Sequence, residues 1–183
     1  MTEQSTSVLT TWRIDPAHSQ VQFAVRHLMI STVKGSFGEV NGTIVADESD
    51  PASASIEATI GVGSVDTRQS DRDAHLRSPD FFDTAKFPTI TFRSKRIVEG
   101  EKGQYRVTGD LTIRDVTREA QLNATFEGRG KDPWGNDRAA FSAATTIDRR
   151  DWGLTYNQAL ETGGVAVGHD IKLTIDLEAT KQQ

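Results

Sequence analysis

The 183 residues predict an all-β protein, an eight-stranded antiparallel up-and-down barrel with short helical insertions. Three observations predict it. Apolar and polar residues alternate with a period of two through most of the chain. Turn-forming clusters of Gly, Pro, Asn and Asp separate the alternating runs. One long run, 32–47, carries Gly35, Gly38 and Gly42, which suits a strand that bends strongly to close a cylinder. At eight strands, closure removes exposed sheet edges and leaves an interior just wide enough for side chains or one small ligand.

The elements follow in order. The first strand position combines 11–15 with 19–28, where Val21, Phe23 and Val25 share one face and His27 continues it. Between them "DPAHS" is a turn, with His18 in its hydrogen bonding. The curved run 32–47 ends at "DESDPAS". In 54–65, Ile56, Ala58, Ile60 and Val62 share a face. "SDRDAHLRS" then has helical spacing, with Ser70 and Asp73 placed as a capping box. "SPDFF" offers a second helix start, a Ser N-cap followed by Pro. Strand 88–98 puts Ile90 and Phe92 inward, and "EGEKG" turns it into 104–113, with Tyr105, Val107, Gly109, Leu111 and Ile113 on one face. "IRDVT" is a tight turn into 118–130, which presents Ala120, Leu122, Ala124 and Phe126. "DPWGND" is a hairpin loop into 138–150, with Phe141, Ala143, Thr145 and Ile147. A long connection, 151–168, ends in a glycine cluster. The last strand, 169–180, sets Ile171, Leu173, Ile175 and Leu177 against Lys172, Thr174, Asp176 and Glu178, with His169 exposed at its start. The helical insertion and the long connection are both placed to fold over a barrel end. Residues 1–11 read as a disordered tail and 12–181 as a single domain.

Composition excludes several function classes. The net charge of −5 leaves no basic stripe for nucleic acid. The absence of cysteine removes disulfides, thiol catalysis and thiolate metal sites. No apolar run reaches the length of a membrane helix. The N-terminus, "MTEQSTSVLTTW", shows neither a positive n-region nor an apolar h-region, which predicts a cytoplasmic protein. No two histidines have metal-ligand spacing, and no metal site is expected.

The segment "RDAHLRSPDFFDTAKFPTITF" puts acid, base and cation side by side. Asp73 and His75 are candidates for acid–base work, but no G-x-S-x-G elbow accompanies them. A structural reading is preferred: Asp73 caps the helix, Arg72 pairs with a nearby carboxylate, and Leu76, Phe81 and Phe82 plug a barrel end.

That segment also carries a resemblance, together with "IDPAHSQVQFAVRHL", "VKGSF", "GDLTIRDVTREAQL", "DPWGNDRAAF" and "DRRDWGLTYNQALETGG". In this order, over almost the whole chain, they resemble the YceI-like family of lipid-binding proteins. The resemblance implies a lipocalin-like barrel that holds a polyisoprenoid or isoprenoid quinone inside, without a metal or other cofactor. It leaves a homodimer open. Many members of the family are periplasmic, from which this sequence departs by lacking a secretion signal.

On this reading an apolar tunnel is lined by Phe23, Val25, His27, Phe37, Ile60 and Phe92 on one side of the sequence, and by Leu111, Ile113, Phe126, Phe141, Leu173 and Ile175 on the other. The small inward residues Ala58, Gly109, Ala124 and Ala143 argue for a void. A head group would meet donors or aromatic groups at a mouth, for which Arg68, Arg72, His75, Arg93, Trp152 and Tyr156 are candidates, beneath a lid that includes Phe81 and Phe82. The expected function is non-catalytic binding and transport of a long isoprenoid lipid. The alternatives are an enzyme acting on an amphiphile at the barrel mouth, or an interaction module whose loops do the work.

Overall fold

A computed structural model describes residues 7–183. Among these described residues, eleven strands form: β1 (Leu9–Ile14), β2 (Gln20–His27), β3 (Ser31–Phe37), β4 (Val40–Asp47), β5 (Asp50–Gly61), β6 (Val65–Asp66), β7 (Thr89–Glu99), β8 (Gln104–Ile113), β9 (Val116–Lys131), β10 (Asp137–Asp148) and β11 (Asp170–Lys181). One α-helix, α1 (Ser70–Arg77), lies between β6 and β7.

The sheet closes. β1 pairs with both β4 and β11, completing the ring β1–β4–β5–β7–β8–β9–β10–β11. All pairings are antiparallel. β2 lies beside the N-terminal half of β11 while β1 lies beside its C-terminal end, so the two share one barrel position. β3 and β4 share the next. The eight expected positions are therefore present, two of them made of two strands each.

The single bent strand expected over 32–47 is interrupted at Gly38 and Glu39. There β3 departs with β2 as a hairpin that continues past the ring, and only the last residues of β3 find a new partner, in β6. Of the residues 1–11 predicted as a tail, Leu9, Thr10 and Thr11 pair with Asp47, Ala46 and Val45, while residues 1–6 lie outside the described residues. The break at "DESDPAS" narrows to Glu48 and Ser49.

Turn chemistry explains the hairpins. Asp132 receives the backbone N–H groups of Trp134 and Asn136 on Oδ1 at 3.0 and 2.9 Å, closing the β9–β10 turn as an Asx motif. The β8–β9 turn consists of Arg114 and Asp115, with Arg114 at φ 56°. The helix begins differently from the expected capping box. Gln69 is the N-cap, its side-chain oxygen taking the Arg72 N–H, and Asp73 turns away to Thr67. "SPDFF" forms turns instead of a helix: Phe81 N–H bonds back to Ser78 O at 3.0 Å and Phe82 N–H to Leu76 O. Both residues are needed as apolar plugs, and the packing they gain overrides the local helix-start signal.

The two insertions lie at one end, called here the upper end, with the 28–30 and 114–115 turns. The lower end carries the 48–49, 100–103 and 132–136 turns. Inside, a large apolar cluster fills the upper half around Ile14, Val40, Val62 and Val65, the largest of the fully buried side chains. A smaller cluster at the lower end joins Trp12, Ile44, Ala139 and Ala179.

Candidate functional site: the barrel interior and its covered end

The register settles which side chains face inward. Phe23, Ile175 and Val21 lie on one surface with Phe37 and Ala143, through the pairs Leu173↔Phe23, Ile175↔Val21, Val21↔Phe37 and Ala143↔Ile175. The same alternation carries Ile60, Phe92, Leu111, Ile113, Phe126 and Phe141 inward.

These positions are not equally packed. Phe37, Leu111 and Ile113 are buried in the upper cluster. Val25, Leu122, Ala124, Phe141, Ala143, Leu173 and Ile175 face inward and are still only half-buried. Water therefore reaches an apolar strip along β9, β10, β11 and β2. Phe126, its ring tilted against Phe141 at 5.4 Å, is exposed at the lower limit of the strip. The void expected at Gly109 is absent: an added Cβ would come within 2.5 Å of the Arg93 carbonyl oxygen and 2.6 Å of the Phe92 Cζ. Ala124 and Ala143, which are direct partners, mark the open side. His27 continues the inward face but lies beyond the ring, exposed at the tip of the β2–β3 hairpin.

The upper end is closed by aromatic packing. Phe82 meets Phe37 edge-on at 5.7 Å, and Phe37 meets Phe23 at 5.5 Å. Phe81, His75 and Tyr156 form a mutual group at 4.9–5.2 Å. Trp152, 3% exposed, donates its Nε1–H to Leu111 O at 2.9 Å. Phe81 and Phe82 thus plug the upper end, and His75, Trp152 and Tyr156, expected as head-group contacts, pack there with them.

The polar candidates are engaged elsewhere. Arg72 donates to Thr67 Oγ1 and Thr67 O, both at 2.7 Å, rather than to a carboxylate, and so braces the loop before α1. Asp73 is buried and accepts both the N–H and the hydroxyl of Thr67. His75 Nε2 lies 2.8 Å from Asp80. Arg68 is exposed with φ 65°, and Arg93 lies on the outer wall beside Glu57 at 3.3 Å. Asp73 and His75 thus satisfy separate partners and make no acid–base pair.

Several side chains escaped sequence reasoning. Arg149, 3% exposed, gives its guanidinium to the carbonyls of Gly168, Leu154 and Val167. It ties the two ends of the 153–169 connection together, and burial holds its pKa below the usual arginine value. Asn157 supports it, donating to Val167 O at 2.7 Å and accepting Val167 N–H at 3.0 Å. The adjacent Arg150 instead pairs with Asp148, an ordinary surface contact, so nothing local distinguishes the two arginines. His169 precedes β11, and its Nδ1 is buried without a partner, contrary to the exposure expected.

At the lower end, Glu48 bridges Arg129 at 3.0 Å and Lys181 at 2.8 Å, and both cations lie over the Trp12 ring. Arg138 gathers Asp15, Asp132 and Glu178 at 2.8–2.9 Å. Its guanidinium, with help from His18, lowers the Asp15 pKa to about 2. Asp15, His18 and Glu178 bring potential metal ligands together, but Arg138 already sits on both carboxylates as their counter-ion. Two concavities, of about 370 and 320 Å³, lie on the outer wall at β9–β10 and at β5–β7–β8, away from the inward strip. Among the described residues, no helix is long and apolar enough to cross a membrane.

Known proteins share this arrangement. A family model described as the YceI-like domain matches residues 12–179. UPF0312 protein SA2479 of Staphylococcus aureus is 39% identical over 171 residues, covering 93% of this chain and 97% of that protein. The crystal structure of a Campylobacter jejuni YceI protein superposes with a TM-score of 0.71 at 31% identity, over 86% of this chain and 90% of the other. BcnA of Burkholderia cenocepacia gives 0.79 at 23% identity, over 91% and 99%. A polyisoprenoid binding domain from Saccharophagus degradans gives 0.68 at 16%, over 93% and 98%. Closed barrel, covered upper end and matched sequence together make this chain a member of the YceI-like family.

Proposed function

We propose that this chain is a non-catalytic carrier that holds a long isoprenoid lipid, of the polyprenyl or isoprenoid-quinone type, along the β9–β10–β11–β2 side of its interior. The observation that carries the reading is the row of inward apolar side chains that remain half-buried, Leu122, Phe141, Leu173 and Ile175 among them, around the small pair Ala124 and Ala143. An apolar strip open to water gains when an alkyl chain covers it, by roughly 0.8 kcal/mol per methylene buried. Ten methylenes contribute about 8 kcal/mol gross, and immobilisation offsets several of these. Micromolar binding then needs no polar contact. The fold shared with a polyisoprenoid binding domain supports the same ligand class.

The test is mass spectrometry of an organic extract from natively purified protein, alongside Ala143→Trp. An indole at 143 would fill the open side between Ala124 and Ile175. The expected result is stoichiometric isoprenoid in the wild type, or micromolar capture of added prenyl lipid, with at least about tenfold weaker capture in the variant. A folded Ala143→Trp that captures lipid as well as the wild type would overturn the interior site.

A further inference from the structure

The β2–β3 hairpin breaks the rules of its own turn. A tight hairpin turn with two successive left-handed residues is normally built from Asn and Gly, because other side chains are strained there. Here the left-handed residues are Leu28 and Met29, at φ 52° and 64°, and Ile30 follows. Their side chains gain only partial burial in return: Leu28 is 40% exposed, Met29, which rests against Gly164, is 55% exposed, and Ile30 is 78% exposed. A local conflict without a packing return marks a functional surface.

The surroundings say what that surface fits. The chain is acidic overall, yet no carboxylate occurs from Ser19 to Gly38, while Arg26, His27 and Lys34 flank the tip. Apolar side chains projecting beyond Arg26 and Lys34, which share one face of the hairpin, match an anionic bilayer, whose acyl region accepts the tip and whose head groups meet those two cations.

The position adds a consequence. Leu28 N–H donates to Ala166 O at 2.9 Å, Gly168 N–H donates to Arg26 O at 2.9 Å, and His27 bridges to Val167. The hairpin is zipped to the connection that Arg149 holds over the upper end. We propose that Leu28, Met29 and Ile30 form a membrane-inserting tip that docks the upper end of the barrel on anionic lipid surfaces. The docking stands whether or not the interior holds lipid; that the docked end is where lipid enters rests on the carrier reading above.

The test is co-sedimentation with vesicles of phosphatidylcholine alone and of phosphatidylcholine with one part in about three of phosphatidylglycerol, a fraction sufficient for surface attraction. The triple variant Leu28→Asn, Met29→Gly, Ile30→Thr supplies the residues this turn prefers, so it is expected to fold at least as well as the wild type. Wild type should bind the anionic vesicles, the triple variant at least about tenfold less, and Lys34→Gln should weaken binding with a shallower salt dependence. A Trp at position 30, made as Ile30→Trp, should shift its emission to the blue on vesicles and be quenched by brominated acyl chains. Equal sedimentation of wild type and triple variant would overturn the proposal. So would a wild type that ignores vesicles but dimerises in light scattering through the same residues. Sedimentation reads docking and organic extraction reads interior lipid, so failure here is distinct from the carrier reading's own failure, a folded Ala143→Trp that captures lipid as well as the wild type.

Discussion

Arg149 and Arg138 show two ways in which one cation organises this molecule. Arg149 is buried, has no carboxylate partner among the described residues and satisfies its guanidinium on three carbonyls. Replacing it strands those carbonyls and frees the 153–169 connection. Arg149→Met is expected to cost more than about 3 kcal/mol, since hydrogen bonds to charged groups are each worth about 1.5–3. Amide hydrogen exchange should show loss of protection at Leu154 and Gly168 before any at β8; uniform loss would mean that the arginine supports the whole barrel instead. Arg138 acts through pH. It draws the Asp15 pKa from 3.8 to about 2. A carboxylate depressed in the folded state contributes its stability fully above the unfolded value, and loses it as pH falls through the folded one. Wild type should therefore lose melting temperature between pH 4 and pH 2, and Arg138→Met should start lower and decline less steeply. Parallel declines in calorimetric scans would remove Asp15 as a cause.

At the scale of elements, strands and hairpins were readable because each depends on neighbours in sequence: alternation for a face, Asx and glycine chemistry for a turn. Caps were less so. Ser70 has the right spacing for a capping box, yet Asp73 is drawn to Thr67, a partner defined by the β6 turn and not by the helix. Glycine roles divide in the same way. A Cβ at Gly109 would meet the Arg93 carbonyl as well as the Phe92 ring, whereas a Cβ at Gly38 would meet nothing within 4 Å. Gly109→Ala is expected to destabilise by about 1–3 kcal/mol through overpacking. Gly38→Ala, at an unstrained φ, should be neutral or stabilising by up to about 1 kcal/mol. Urea titrations of the two variants check this, and equal effects would mean that backbone freedom, not the ring, explains Gly109.

The whole molecule joins a packed half to an open one. The upper cluster and the plug of Phe81, Phe82 and Trp152 give the barrel a solid end, which frees β9, β10 and β11 to leave their inward faces partly uncovered. Trp152→Ala removes both that packing and the bond to Leu111 O. It is expected to cost about 3–5 kcal/mol and to lower thermal stability without altering which lipid is captured. If lipid selectivity changed while stability held, Trp152 would be part of the ligand site.

The sequence by itself determined the barrel and its eight strand positions, because period-two alternation and turn residues are local signals that survive without coordinates, while the ordered motifs carried the family resemblance. Tertiary structure decided everything that depends on distance across the fold. It separated Arg149 from Arg150, sent Arg72 to Thr67, filled the space over Gly109 and placed His27 outside the ring. It also brought the acid-free hairpin to the covered end, since the pairing of His27 with Val167 joins segments far apart in the chain. Alternation tells which way a side chain points; only the closed barrel tells what it meets there.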